Sequence, residues 1–200
     1  MDRKTINAEL RRQFYPQLVA EGFTRAGDIA RRALVGPVVH VVEVQHLPRR
    51  NVFQINLGAH LLALDELSGT TAVAADTVRD YDCAWRGSIF SGFRNSSDAE
   101  FAYGSTPEEA SESVSFLVSE WRRQADVFFG PLSEYPGGFH RAAKRMPEHP
   151  VHPGHMRTWA RVAQLVGDGA LARRIAEVAL PEVPERATAL RDDLRAILDS

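Results

Sequence analysis

Residues Val38 to Leu61 read VVHVVEVQHLPRRNVFQINLGAHL, two runs rich in β-branched residues on either side of Leu47-Pro48-Arg49-Arg50. Such residues suit a pleated, half-buried surface, and a proline between them suits a bend, so the stretch predicts a β-hairpin. With Leu47 to Arg50 as a four-residue loop, His46 pairs with Asn51, and the register opposes Val44 to Phe53, Val42 to Ile55 and Val38 to Ala59. That face is the predicted core. Because strand side chains alternate sides, the reverse face carries Glu43 opposite Gln54, then Gln45 and Asn56, with His60 farther along the second strand. Val39, Val41 and Val52 share it. A polar row of this kind is either solvated or a binding surface, since antiparallel sheets commonly wet one face.

Outward from the hairpin, Thr5 to Glu21 reads as a first helix. Ile6, Leu10, Phe14 and Leu18 recur at four-residue spacing, Gly22 supplies a stop, and Pro16 implies a kink or an early end. Phe23 to Val35 reads as short strands with a turn at Ala26-Gly27-Asp28, and Gly36-Pro37 separates them from the hairpin. Leu62 to Asp80, with its Ser68-Gly69 turn signal, is compatible with a loop, a short helix or both. Asp82 to Phe90 adds a strand, and Ser91 to Ser105 is a connection rich in Gly, Ser and Asn.

A long helix then begins at a capping box, Thr106 with Glu109, with Pro107 at the first helical position and Glu108 and Glu109 at the positive end of the dipole. Val114, Leu117, Val118, Trp121, Ala125 and Phe128 make its apolar stripe, which predicts packing on the sheet. The predicted architecture is α+β: an antiparallel sheet with helices on one face over residues 1–139, a Pro/His-rich linker over 140–154, and a helical C-terminal extension over 155–200. Three short helices fill that extension, marked by Met156, Trp159, Ala163 and Val166, by Leu171, Ile175 and Val178, and by Ala187, Leu190, Leu194, Ile197 and Leu198.

Composition excludes several function classes. The 24 basic and 26 acidic residues among 200 nearly cancel, so no global charge steers the chain toward nucleic acid or anionic membranes. Cys83 is the single cysteine, which excludes an internal disulfide framework and fits a reducing compartment. The N-terminus is charged throughout, and no apolar run reaches membrane-spanning length, so the expected location is cytoplasmic.

The order of features resembles the bacterial family known as domain of unknown function 4304. An opening helix, Gly22-Phe23, a Val-rich strand ending in Gln45, the run Phe53-Gln54-Ile55-Asn56-Leu57-Gly58, Asp82-Cys83 with Arg86, and a later amphipathic helix carry the resemblance over about residues 6–139. It implies an α+β domain and supplies no reaction, cofactor or substrate. A second arginine expected two residues after Arg86 is Ser88 in this chain.

His149, His152 and His155, with His140 and Glu148 nearby, are the candidate metal ligands, since neutral imidazoles bind zinc, copper and nickel. The interleaved prolines favour a polyproline II path that sets histidines roughly 9 Å apart, too wide for adjacent ligands on one tetrahedral ion without a bend. Cys83 lies in an apolar run with no adjacent cation to activate it as a nucleophile. Asp80 and Asp82 read as a polar boundary or a cation site. Arg141, Lys144, Arg145 and Arg157 form a basic segment without the interleaved aromatics of a base-stacking surface. No Gly-x-Ser-x-Gly elbow, phosphate-binding loop, dinucleotide fingerprint or His-Glu-x-x-His is present. The sequence therefore favours a binding or interaction protein without a cofactor, one version being an immunity-like protein. Its partner is an unspecified protein or small ligand, and the expected site is Glu43, Gln45, Gln54, Asn56, His60 and Arg86. The alternative is a metal-dependent enzyme built on the histidine segment.

Overall fold

The computed structural model describes residues 2–34, 36–64 and 74–200. Strands β1 (Thr24–Ala26), β2 (Ile29–Ala33), β3 (Val38–Leu47) and β4 (Val52–Leu61) lie in sequence order, and β5 (Trp85–Ser88) and β6 (Phe101–Ala102) both pair with β4, every pairing antiparallel. The hairpin forms with its two faces as expected, but its register differs. Val44 faces Ile55, Val42 faces Leu57, Val38 faces Leu61, and Glu43 faces Asn56 where Gln54 was expected. The bend is Pro48 to Asn51, because Asn51 takes the left-handed conformation at φ 53° and its N–H closes a 3₁₀ turn on the Pro48 carbonyl. Each partner moves by two positions, so every side chain keeps its predicted face.

Three helical pieces cover one face. Asp2 caps α1 (Arg3–Glu9) through the Thr5 N–H at 2.9 Å; a π-helical turn, Leu10–Phe14, follows, and then α2 (Tyr15–Ala20). The expected irregularity at Pro16 therefore falls just before it. Pro16 has no N–H to give the Arg12 carbonyl, and Tyr15 closes the wider turn by donating to Leu10. Gly22, at φ +87°, lets the Phe23 N–H return to the Leu18 carbonyl at 2.9 Å, a glycine-dependent helix stop.

Helix α3 (Pro107–Phe129) begins where the capping signal predicts: Thr106 Oγ1 accepts from the Glu109 N–H at 3.2 Å, and the Glu109 carboxylate accepts from Ser105. Its buried stripe is Ala110, Val114, Leu117, Trp121, Ala125 and Phe129. Phe129 takes the place expected for Phe128, which is half-buried. Ile6, Leu10, Phe14 and Leu18 join this stripe and the sheet residues Val42, Val44, Phe53 and Ile55 in one core. The fold is α+β, with these helices on one face of an antiparallel sheet.

The expected strand Asp82 to Phe90 is shorter. Asp80–Asp82 form a 3₁₀ turn, held by the Arg79 N–H on Asp82 Oδ2 at 2.8 Å, and β5 starts only at Trp85. Most of the Leu62 to Asp80 segment, including Ser68-Gly69, lies outside the described residues.

The described residues fall into two units, one ending at Gly130 and the other containing Pro131–Ser200. The second is helical: α4 (Gly137–Lys144), α5 (Pro153–Leu165), α6 (Gly169–Ala179) and α7 (Thr188–Leu198). Residues 140–154 are thus not a plain linker, because α4 runs through their start and buries Phe139 and Ala143, with Phe139 6.5 Å from the Trp159 ring. No helix among the described residues is long and apolar enough to cross a membrane.

Candidate binding site

The polar row of the hairpin is only partly open. Asn56 Nδ2 donates to Gln45 Oε1 at 3.1 Å, and Gln54 lies opposite Gln45, so these three side chains sit together. Residues Thr77 to Cys83 lie over the rest of this face. Arg31 ties them down through the Val78 carbonyl at 2.6 Å, and Arg79 is paired with Glu43, which raises the Arg79 guanidinium above its ordinary value. Cys83 covers Gly58 so closely that a Cβ there would stand 2.5 Å from Sγ. Glu43 is therefore committed to Arg79, and His60 is only 4% exposed. Arg86, opposite Gly58, is exposed and pairs with Asp80 at 3.3 Å. Of the six expected site residues, Gln45 and Arg86 are exposed, Gln54 and Asn56 are half-buried beside Gln45, Glu43 is taken by Arg79 and His60 is buried.

Cys83 is buried and its thiol is partnered. Burial pushes its thiol up to about 12, the Asp80 and Asp82 charges add to that, and its S–H donates to the Arg79 carbonyl at 3.2 Å. Asp80 and Asp82 are occupied by Arg86 and by the Arg79 backbone.

A second feature escapes sequence reasoning. Asp98 organises the loop between β5 and β6: its carboxylate takes Arg94 through two bonds at 2.7 and 2.8 Å and the Glu100 N–H at 3.1 Å, while its carbonyl accepts from Ser91 and Gly92. The Arg94 guanidinium holds the Asp98 carboxyl well below the usual carboxylate range. Glu100 adds bonds from Arg94 at 2.6 Å and Arg50 at 2.8 Å. This braced loop, β6, and the first turns of α3 enclose a cavity of about 530 Å³. Val52, Phe93, Phe101 and Phe116 supply apolar wall, and Glu109 and Glu112 lie along the α3 side. Phe93 is 84% exposed and Phe116 43% exposed. The signal was scattered: Phe93, Phe101 and Phe116 belong to a loop, a two-residue strand and a helix.

The histidine segment does not gather. His140 Nε2 meets Asp168 Oδ2 at 2.8 Å, and that contact, with the Leu171 N–H, lowers the Asp168 carboxyl. His152 caps α5, its Nδ1 accepting from Gly154 at 3.2 Å, and the His152 and His155 rings stand 6.3 Å apart and nearly perpendicular. His149 sits in the turns before them. Among the described residues no three His, Cys, Asp or Glu side chains are grouped to hold a metal ion. The basic segment is partly neutralised, Arg141 by Glu134 at 2.5 Å and Arg157 by Asp193 at 2.8 Å.

Compared with protein-family models, with curated proteins and with solved structures, the chain matches none.

Proposed function

We propose that this chain is a cytoplasmic binding protein whose ligand site is the cavity beside β6. The observation that carries this reading is the pair of exposed rings, Phe93 and Phe116, over an apolar-walled cavity of about 530 Å³. That volume lies within the roughly 300–1,000 Å³ of small-molecule sites. Singly exposed apolar residues are common, but two phenylalanines converging on one concavity leave apolar area for a ligand to cover. Arg94, Asp98, Glu100 and Arg50 brace the wall through bonds within the chain, which lowers the ordering cost of binding. The test is titration with the neutral apolar dye Nile red, read by fluorescence. One dye per chain is expected, weakened in both F93A and F116A with the circular dichroism unchanged. Absence of saturable binding, or binding indifferent to both substitutions, refutes the assignment.

A second reading, an immunity-like protein that blocks a protein partner, draws on the open row of Gln45, Gln54, Asn56 and Arg86, where Gln45 is exposed and already oriented by Asn56. Its test is capture from the native host by the wild-type chain but not by Q45R/N56R. The kinship with domain of unknown function 4304 belongs to the same proposal and rests on the sequence order described above.

A further inference from the structure

We infer that the β6 cavity is selective for small amphiphilic cations, ligands with an aromatic or alkyl body and an ammonium group; this rests on the reading of the cavity as the ligand site. The walls decide the body, because Val52, Phe101 and Phe116 offer apolar surface and Phe93 stands exposed at the opening. The charge on the lining decides the head group. Asp98 and Glu100 are already balanced by Arg94 and Arg50. Among the described residues neither Glu109 nor Glu112 forms an ion pair: Glu109 takes only the Ser105 N–H, and Glu112 makes no hydrogen bond, while Arg94 on the same lining is taken by Asp98 and Glu100. The lining thus carries two carboxylates without a positive counterpart, one helical turn apart on α3.

The obvious competitor is an anion drawn to the positive end of α3, and the chain has closed that possibility. Thr106 Oγ1 already occupies the Glu109 N–H, and Glu108 and Glu109 place negative charge in the first turn. An anionic head group would meet like charge there, whereas an ammonium gains both the Glu112 carboxylate and the faces of exposed phenylalanines, which attract cations.

The test uses three probes of one shape, 4-phenylbutylamine, 4-phenylbutanol and 4-phenylbutyrate, each competed against Nile red on the full chain. The amine is expected to bind about three- to tenfold more tightly than the alcohol, and the acid more weakly than both. In E112Q the amine-to-alcohol ratio should fall toward one, and added salt should lower the amine's affinity selectively. Equal binding of amine and alcohol, or preference for the acid, overturns the charge selectivity while leaving the cavity as an apolar site. If no probe displaces the dye, and the dye itself does not bind, both readings fail together.

Discussion

The Trp121 indole Nε1 donates to Glu21 Oε1 at 2.8 Å, joining the middle of α3 to the residue that ends α2. The ring is otherwise enclosed, edge-on to Phe14 at 5.4 Å and to Phe23 at 6.2 Å. One side chain thus packs two helices and the start of the sheet segment together, and it leaves no buried donor unsatisfied.

Trp121→Ala should therefore cost about 3–5 kcal/mol in denaturant melts, the range for truncating a buried large aromatic. Trp121→Phe keeps most of the packing and loses the bond to Glu21, so its cost should be clearly smaller. A loss below about 1 kcal/mol for the alanine variant contradicts the burial.

Gly58 and Cys83 should behave as a coupled pair. A methyl group at Gly58 meets Cys83 Sγ at 2.5 Å and Cβ at 3.0 Å, so Gly58→Ala should destabilise by about 1–3 kcal/mol through overpacking. Cys83→Ala removes the nearer atom. The double variant should be more stable than the sum of the single losses predicts, by more than about 0.5 kcal/mol, and simple additivity would show that the contact is not made.

His46 should make stability depend on pH near neutrality. Its Nε2 donates to Asn7 Oδ1 at 3.0 Å, which leaves Nδ1 to accept from the Tyr103 hydroxyl at 2.9 Å, and burial followed by the nearby Arg3 charge lowers its pKa below 6.5; Asp28 opposes weakly. The folded state thus holds the ring neutral while the unfolded chain takes up a proton. Stability from this group is full above about pH 6.5 and falls as the pH drops through that value, until the folded pKa is reached. The difference between wild type and His46→Gln, measured from pH 8 to pH 5, isolates this effect from the other histidines. A difference that does not change with pH would refute it.

The open polar row should contribute little to the fold. Gln45→Ala and Asn56→Ala are each expected to shift stability within about 0.5 kcal/mol, because Gln45 is exposed and water replaces the bond between them. Losses of about 1–3 kcal/mol in both would identify a structural ladder and remove the row as a docking surface.

Purified, untagged protein should carry only substoichiometric metal. His140 is committed to Asp168 and His152 to the start of α5, and drawing them onto one ion would give up both contacts. One firmly held ion per chain, lost in the pair His152→Ala and His155→Ala, would reverse this expectation.

Local pattern was enough for the elements and their faces. Val42, Val44, Phe53 and Ile55 on one side and Gln45, Gln54 and Asn56 on the other follow from the two-residue period of a strand, and the Thr106 cap and its stripe follow from the helical period. These signals lie within a few residues of one another, which is why the sequence by itself determined the α+β class and the hairpin. It could not determine which parts of the polar face stay open, because Arg79 on Glu43 and Cys83 on Gly58 join residues that lie far apart in the chain. Nor could composition reveal that His140 belongs to a helix and pairs with Asp168. The cavity is the extreme case: Val52, Phe93, Phe101 and Phe116 share no period, and they meet only in the folded chain, where Asp98 braces the loop that carries Phe93. Tertiary structure decided the cavity, because long-range pairing sets which side chains share a concavity, and no short-range regularity encodes that choice.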